Sequence, residues 1–135
     1  MTSTAGFGQS NMLNTGIVEL ISWRADETER PLDNVEYTQI VSRDGGYEIK
    51  ICFKTNQKGN DIADYFLFKI KNIKTADNIT KAKLTDISIE NTDIIYFDDK
   101  ASGTIEINHQ TDLVKIVFQH TTYHQKTQYE IVWKQ

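Results

Sequence analysis

The sequence predicts one small, soluble, mainly β domain: an antiparallel β-sandwich or barrel of about eight strands, with at most one or two short helices. Three observations predict it. Residues 47–54 alternate apolar and polar with a clean period of two. Arg43-Asp44-Gly45-Gly46 supplies the positive φ that a tight hairpin needs. Further short runs rich in β-branched and aromatic residues recur along the chain, separated by short polar turns.

Residues 1–15, MTSTAGFGQSNMLNT, are rich in Gly, Ser, Thr and Asn and lack periodicity. They read as a flexible N-terminal arm, and residues 16–135 read as a single β domain. Phe7, Met12 and Leu13 are the sizeable apolar groups of the arm after Met1. They are the expected assembly residues, since an extended segment can fill pockets on a neighbour or add to an open sheet edge.

The strands follow in order. Residues 16–23 carry apolar groups on both phases, Ile17, Ile21 and Trp23 against Val18 and Leu20, which predicts a strand covered on both sides. An acidic stretch with the sole proline, Pro31, leads to residues 37–42. That run pairs through the Asp-Gly-Gly turn with a strand whose Tyr47, Ile49, Ile51 and Phe53 share one face. Residues 64–70 read as a buried aromatic strand, although Ile62, Phe66, Ile70 and Ile73 also fit one helical face. Residues 78–89 admit a short helix capped by Asp77 or a β-branched strand. Ile105 with Ile107, then Val114, Ile116, Phe118 and His120, then Tyr129, Ile131 and Trp133 complete a meander of hairpins.

Composition narrows the classes of function. The chain has 135 residues, enough for one domain with its own core. Its 19 acidic and 15 basic side chains give a net charge of −4, which counts against nucleic acid and anionic lipid as partners. The charge is blocked: residues 19–36 hold six acids against Arg24 and Arg30, and residues 43–83 hold nine bases against five acids. Residues 84–112 hold seven acids against Lys100. Such blocks make two poles suited to a complementary partner or to copies of the same chain, unless strand faces interleave them in space. The lone Cys52 excludes an internal disulfide framework. No apolar run is long enough to cross a membrane, and the first residues lack the basic and apolar regions of a signal peptide, so synthesis in the cytoplasm is expected. Asn78-Ile79-Thr80 is a glycosylation sequon that would matter only in a secreted chain.

Chemistry-bearing motifs are sparse. His120 and His124 have a metal-like spacing with His109 on an adjacent loop, but three or four ligands must converge, which a strand end does not ensure; no metal is expected. No GxSxG, P-loop, GxGxxG or HExxH occurs, so neither a cofactor nor an enzymatic activity is expected. Aromatics beside carboxylates offer the best ligand argument. Tyr96 with Asp98 and Asp99, together with Tyr123 and Trp133, has the flat apolar faces and acceptors that carbohydrate recognition uses. Two readings result: a non-catalytic interaction or assembly subunit that associates through its arm and sheet edges, or a lectin-like carbohydrate-binding module.

Overall fold

In the computed structural model the described residues are 13–54, 64–71, 73, 78–90, 100–122 and 125–135. They form eleven strands and one 3-10 turn. The strands are β1 (Gly16–Val18), β2 (Leu20–Ala25), β3 (Thr28–Glu29), β4 (Val35–Arg43), β5 (Gly46–Phe53) and β6 (Tyr65–Lys71), then β7 (Ile79–Lys83), β8 (Asp86–Glu90), β9 (Lys100–Asn108), β10 (Leu113–Thr122) and β11 (Gln125–Lys134). The 3-10 turn, Leu32–Asn34, lies between β3 and β4.

Two antiparallel sheets face each other, one ordered β1-β4-β5-β6-β8 and the other β3-β2-β11-β10-β9-β7. Neither closes on itself, so the fold is a β-sandwich and not a barrel. The excess over eight strands comes from short pieces. β3 has two residues, and the run expected over residues 16–23 is cut at Glu19 into β1 and β2. Both ambiguous stretches are strands: residues 65–71 form β6, and residues 79–83 and 86–90 form β7 and β8.

The core follows from the alternation. Ile49, Ile51 and Phe53 of β5 and Phe66, Phe68 and Ile70 of β6 point inward from the five-stranded sheet. Ile105, Ile107, Val114, Ile116, Phe118, Ile131, Trp23 and Trp133 meet them from the other sheet. Rings link the layers: Phe66 packs edge-on against Phe53 at 4.9 Å and Phe118 at 5.3 Å, and Phe118 stacks on Tyr129 at 4.8 Å. Fully burying each such side chain is worth about 1.5–3 kcal/mol.

The predicted hairpin forms at the predicted residues. Asp44 at φ 54° and Gly45 at φ 78° give two consecutive left-handed residues between Arg43 and Gly46, the backbone of a type I′ turn. Gly46 is needed for a different reason. A Cβ there would lie 1.9 Å from the carbonyl oxygen of Ile70 in the neighbouring strand.

The two-phase pattern of residues 16–23 has another cause than double cover. The chain leaves the five-stranded sheet after Val18 and enters the six-stranded sheet at Leu20, so the phase facing the core changes. A bulge opposite Val132 and Trp133 shifts the register again, placing Leu20 and Trp23 inward. Ile17 and Ile21 are left 66% and 51% exposed, which corrects the expectation of a strand covered on both faces.

Leu13 is also corrected. It is 4% exposed and belongs to the core of its own domain, so it is not available to a neighbour. The backbone N–H of the next residue, Asn14, donates to Oε1 of Gln135 at 2.5 Å, which ties this point to the last residue of the chain.

Candidate functional site

The two sheets share their lateral sides. On one side β1 runs into β2, with β3 and the 3-10 turn beside them. On the other side β7 and β8, joined by Leu84 and Thr85, are the edge strands of the two sheets.

The first side gathers exposed apolar groups. Pro31 precedes the 3-10 turn at φ −65° and ψ 129°, the extended geometry its ring permits. Its carbonyl accepts from the indole N–H of Trp23 at 3.3 Å and from the N–H of Asn34 at 3.4 Å. The N–H of Arg30 donates to the Trp23 carbonyl at 2.9 Å, and the Arg30 guanidinium lies 5.7 Å from the Trp23 ring centre. These contacts pin Arg30 and Pro31 to Trp23, and Leu32 is left outward, 41% exposed. With Ile17 and Ile21 it makes an exposed aliphatic edge.

Two clefts flank Leu32. One, of about 350 Å³, lies between Ile17, Val18 and Leu20 and the segment from Leu32 to Thr38. The other, of about 420 Å³, is lined by Ile21, Ser22, Glu29, Arg30 and Pro31. Thr38, in the wall of the first, is 1% exposed, and its hydroxyl has no hydrogen-bond partner among the described residues. Carboxylates rim both clefts: Glu19, Asp33 and Glu36 at the first and Glu29 at the second, all exposed. None of them joins an ion pair among the described residues. Such an edge suits an aliphatic side chain flanked by cations: the clefts supply apolar area and the carboxylates supply orientation.

The outer face of the five-stranded sheet carries a second feature. Tyr37, Cys52, Tyr65 and Glu90 lie side by side across β4, β5, β6 and β8. A hydrogen bond to the Cys52 sulfur, with added contributions from charge at Cys52, from burial and from Glu36, holds the Tyr37 phenol above its ordinary pKa. Burial first, then Glu90, Asp64 and Cys52, raise Tyr65. The Lys50 ammonium sits 4.6 Å from the Tyr65 ring centre.

Most residues singled out from sequence are placed differently or not described. Tyr96, Asp98, Asp99 and Tyr123 lie outside the described residues, as do Phe7 and Met12. Trp133 is fully buried, between Val114 of β10 and Leu20 of β2, and cannot offer its ring to a sugar. His120 is buried at the inner face of β10, while His109 precedes the opposite end of that strand, where its Nε2 lies 2.7 Å from the Thr80 hydroxyl. The strand between them keeps His109 and His120 roughly 23 Å apart. His124 lies outside the described residues. Among the described residues no three His, Cys, Asp or Glu side chains are grouped to hold a metal, and no helix is long and apolar enough to cross a membrane.

Sequence reasoning missed Ile17, Ile21 and Leu32 as surface groups. The available signal was the apolar content of residues 16–23 on both phases, which a change of sheet explains better than double cover. Comparison with protein-family models, with curated proteins and with solved structures finds no match to this chain.

Proposed function

We propose that this chain is a non-catalytic interaction or assembly subunit that associates through its N-terminal arm and its sheet edges. The observation that carries the reading is the cluster of Ile17, Ile21 and Leu32 at one lateral side, each more than a third exposed and rimmed by Glu19, Glu29, Asp33 and Glu36. An aliphatic group left in water at the surface gains about 1.5–3 kcal/mol when a partner covers it fully. In sequence, residues 1–12 lead to Leu13, which lies shortly before β1, an edge strand of this side. β1 has three residues and β3 has two, so both sheets keep backbone groups at this edge that an added strand can pair.

Light scattering on the full chain, on a chain lacking residues 1–12 and on an Ile17→Ser/Leu32→Ser variant tests the reading. The full chain is expected to form oligomers, and each variant to lower the mean mass while keeping the melting temperature. Equal masses for all three would refute association through these surfaces.

A further inference from the structure

We propose that the acid-rimmed edge of one copy receives the lysine-bearing β7 edge of a second copy, so that the chains associate head to tail. This rests on the assembly reading and names its partner and its second surface.

The two lateral sides are complementary in charge. Around β2, β3 and the 3-10 turn, Glu19, Asp26, Glu27, Glu29, Asp33 and Glu36 are all exposed, against exposed Arg24 and half-buried Arg30. On the opposite side, register aligns Lys81 with Glu106 and Lys115, and Lys83 with Thr104 and Val117. The outward charges of β7, β9 and β10 are therefore Lys81, Lys83, Lys100 and Lys115 against Glu106 alone. Glu106 partly satisfies Lys81, at 3.6 Å, but the Lys81 side chain stays 71% exposed. Lys83 joins no ion pair among the described residues. A chain with net charge −4 thus concentrates cations on one half of one sheet. The edge strand of the other sheet on this side, β8, carries Asp86 and Glu90, with Asp86 facing Lys69 at 4.0 Å, so the cationic strip belongs to the six-stranded sheet alone.

Shape agrees with charge. Ile79 opens the lysine-bearing strand and is 44% exposed, with Lys81 and Lys83 following on the same face. An aliphatic knob flanked by two ammonium groups matches an aliphatic cleft flanked by carboxylates. Ile79 of one copy fills the space beside Leu32 of the next, and Lys81 and Lys83 reach its Asp33, Glu36 or Glu29. The two surfaces lie on opposite sides of each copy, so the contact is heterologous and leaves one donor and one acceptor side free for growth into a ring or filament. Such contacts strengthen at low ionic strength, where the Debye length is about 30 Å at 0.01 M, and weaken as it falls to about 10 Å at 0.1 M.

Charge reversal on the full-length chain tests this. Sedimentation velocity is run at about 0.01 M and about 0.5 M salt on the wild type, on Lys81→Glu/Lys83→Glu, on Glu29→Lys/Asp33→Lys, and on an equimolar mixture of the two variants. Wild-type association that falls with salt, loss of association in each variant alone, and its recovery in the mixture support the proposal. Misfolded variants would not recover on mixing. Unchanged association in either variant, or a mixture that stays dissociated, overturns it. If the lysines only guard a sheet edge, the wild type is monomeric at low salt, which also overturns it. The broader assembly reading is judged separately, by the arm-deletion and Ile17/Leu32 variants.

Discussion

The ring of Trp23, from the six-stranded sheet, meets the ring of Phe53, from the five-stranded sheet, with centroids 5.1 Å apart and planes inclined at 42°. Trp23 also meets Phe66 edge-on at 6.2 Å, so the rings form one continuous cluster across the sandwich. The same Trp23 anchors Pro31 through its indole N–H, which couples the core to the candidate edge.

Phe66 touches five aromatic partners, Trp23, Phe53, Phe68, Phe118 and Tyr129, and is 1% exposed. Phe66→Ala is expected to cost about 3–5 kcal/mol of unfolding free energy, the range for deleting a buried aromatic side chain. Leu67→Ala, on the outer face of the same strand, is expected to cost well under half of that. Urea denaturation of both variants decides; equal losses would show that Phe66 is not central to the core.

The hairpin separates two demands on glycine. At Gly45 an added Cβ meets nothing within 4 Å, so Gly45→Ala pays only for the left-handed backbone, about 1–2 kcal/mol. At Gly46 the added Cβ collides with the backbone of Ile70, which cannot rotate away. Gly46→Ala is expected to be the more damaging, by a further 1–3 kcal/mol or so. Thermal or urea melts of the pair check the order, and the reverse order would contradict the strand spacing.

How much was legible in the sequence follows the range of the interactions. The turn at Asp44 and Gly45 was readable because positive φ is a local demand that Asp and Gly meet locally. The inward faces of residues 47–53 and 114–120 were readable because a period of two needs no partner. The fate of residues 16–23 was not, because the change of sheet after Val18 is decided by tertiary packing. Trp133 was misplaced for a related reason. Its place near a strand end suggested a ring open to a ligand, whereas pairing with Val114 on one side and Leu20 on the other buries it. The lysine strip was half legible. The alternation of Ile79-Thr80-Lys81-Ala82-Lys83 is local, but its alignment with Glu106 and Lys115 depends on strand register across the sheet.

The Tyr37–Cys52 hydrogen bond carries a pH signature. The folded-state pKa of Tyr37 is raised, first by that bond. A raised folded pKa means stability that is complete below the unfolded tyrosine value of about 10 and is lost as pH rises through the folded value. Stability measured by urea denaturation is therefore expected to fall above about pH 10, and Tyr37→Phe, which removes the bond, is expected to be less stable than wild type near neutrality and to show a smaller alkaline fall. Absorbance titration of the phenolate should show Tyr37 and Tyr65 ionising later than the exposed tyrosine value, with the late fraction reduced in the variant. An alkaline loss identical in wild type and Tyr37→Phe would remove Tyr37 from the account.

Leu13 is the first of the described residues and already belongs to the core, so its share of the stability can be measured. A buried leucine cut to alanine costs about 2–5 kcal/mol when the site cannot collapse. Leu13 is 4% exposed within the core cluster, and the neighbouring Asn14 N–H is held by Gln135. Leu13→Ala in the full chain is thus expected to lower the melting temperature by several degrees, on the order of 4 °C or less per kcal/mol for a domain of this size. Removing residues 1–12 while keeping Leu13 is expected to leave the melting temperature of the monomer unchanged and to act only on association. A deletion that also removes Leu13 would mix the two effects and would be misread as an arm that stabilises the fold. Differential scanning calorimetry at high salt, where charge-driven association is suppressed, compares the variants on equal terms. If the chain lacking residues 1–12 melts as low as Leu13→Ala, residues before Leu13 belong to the folded domain and the arm ends further upstream.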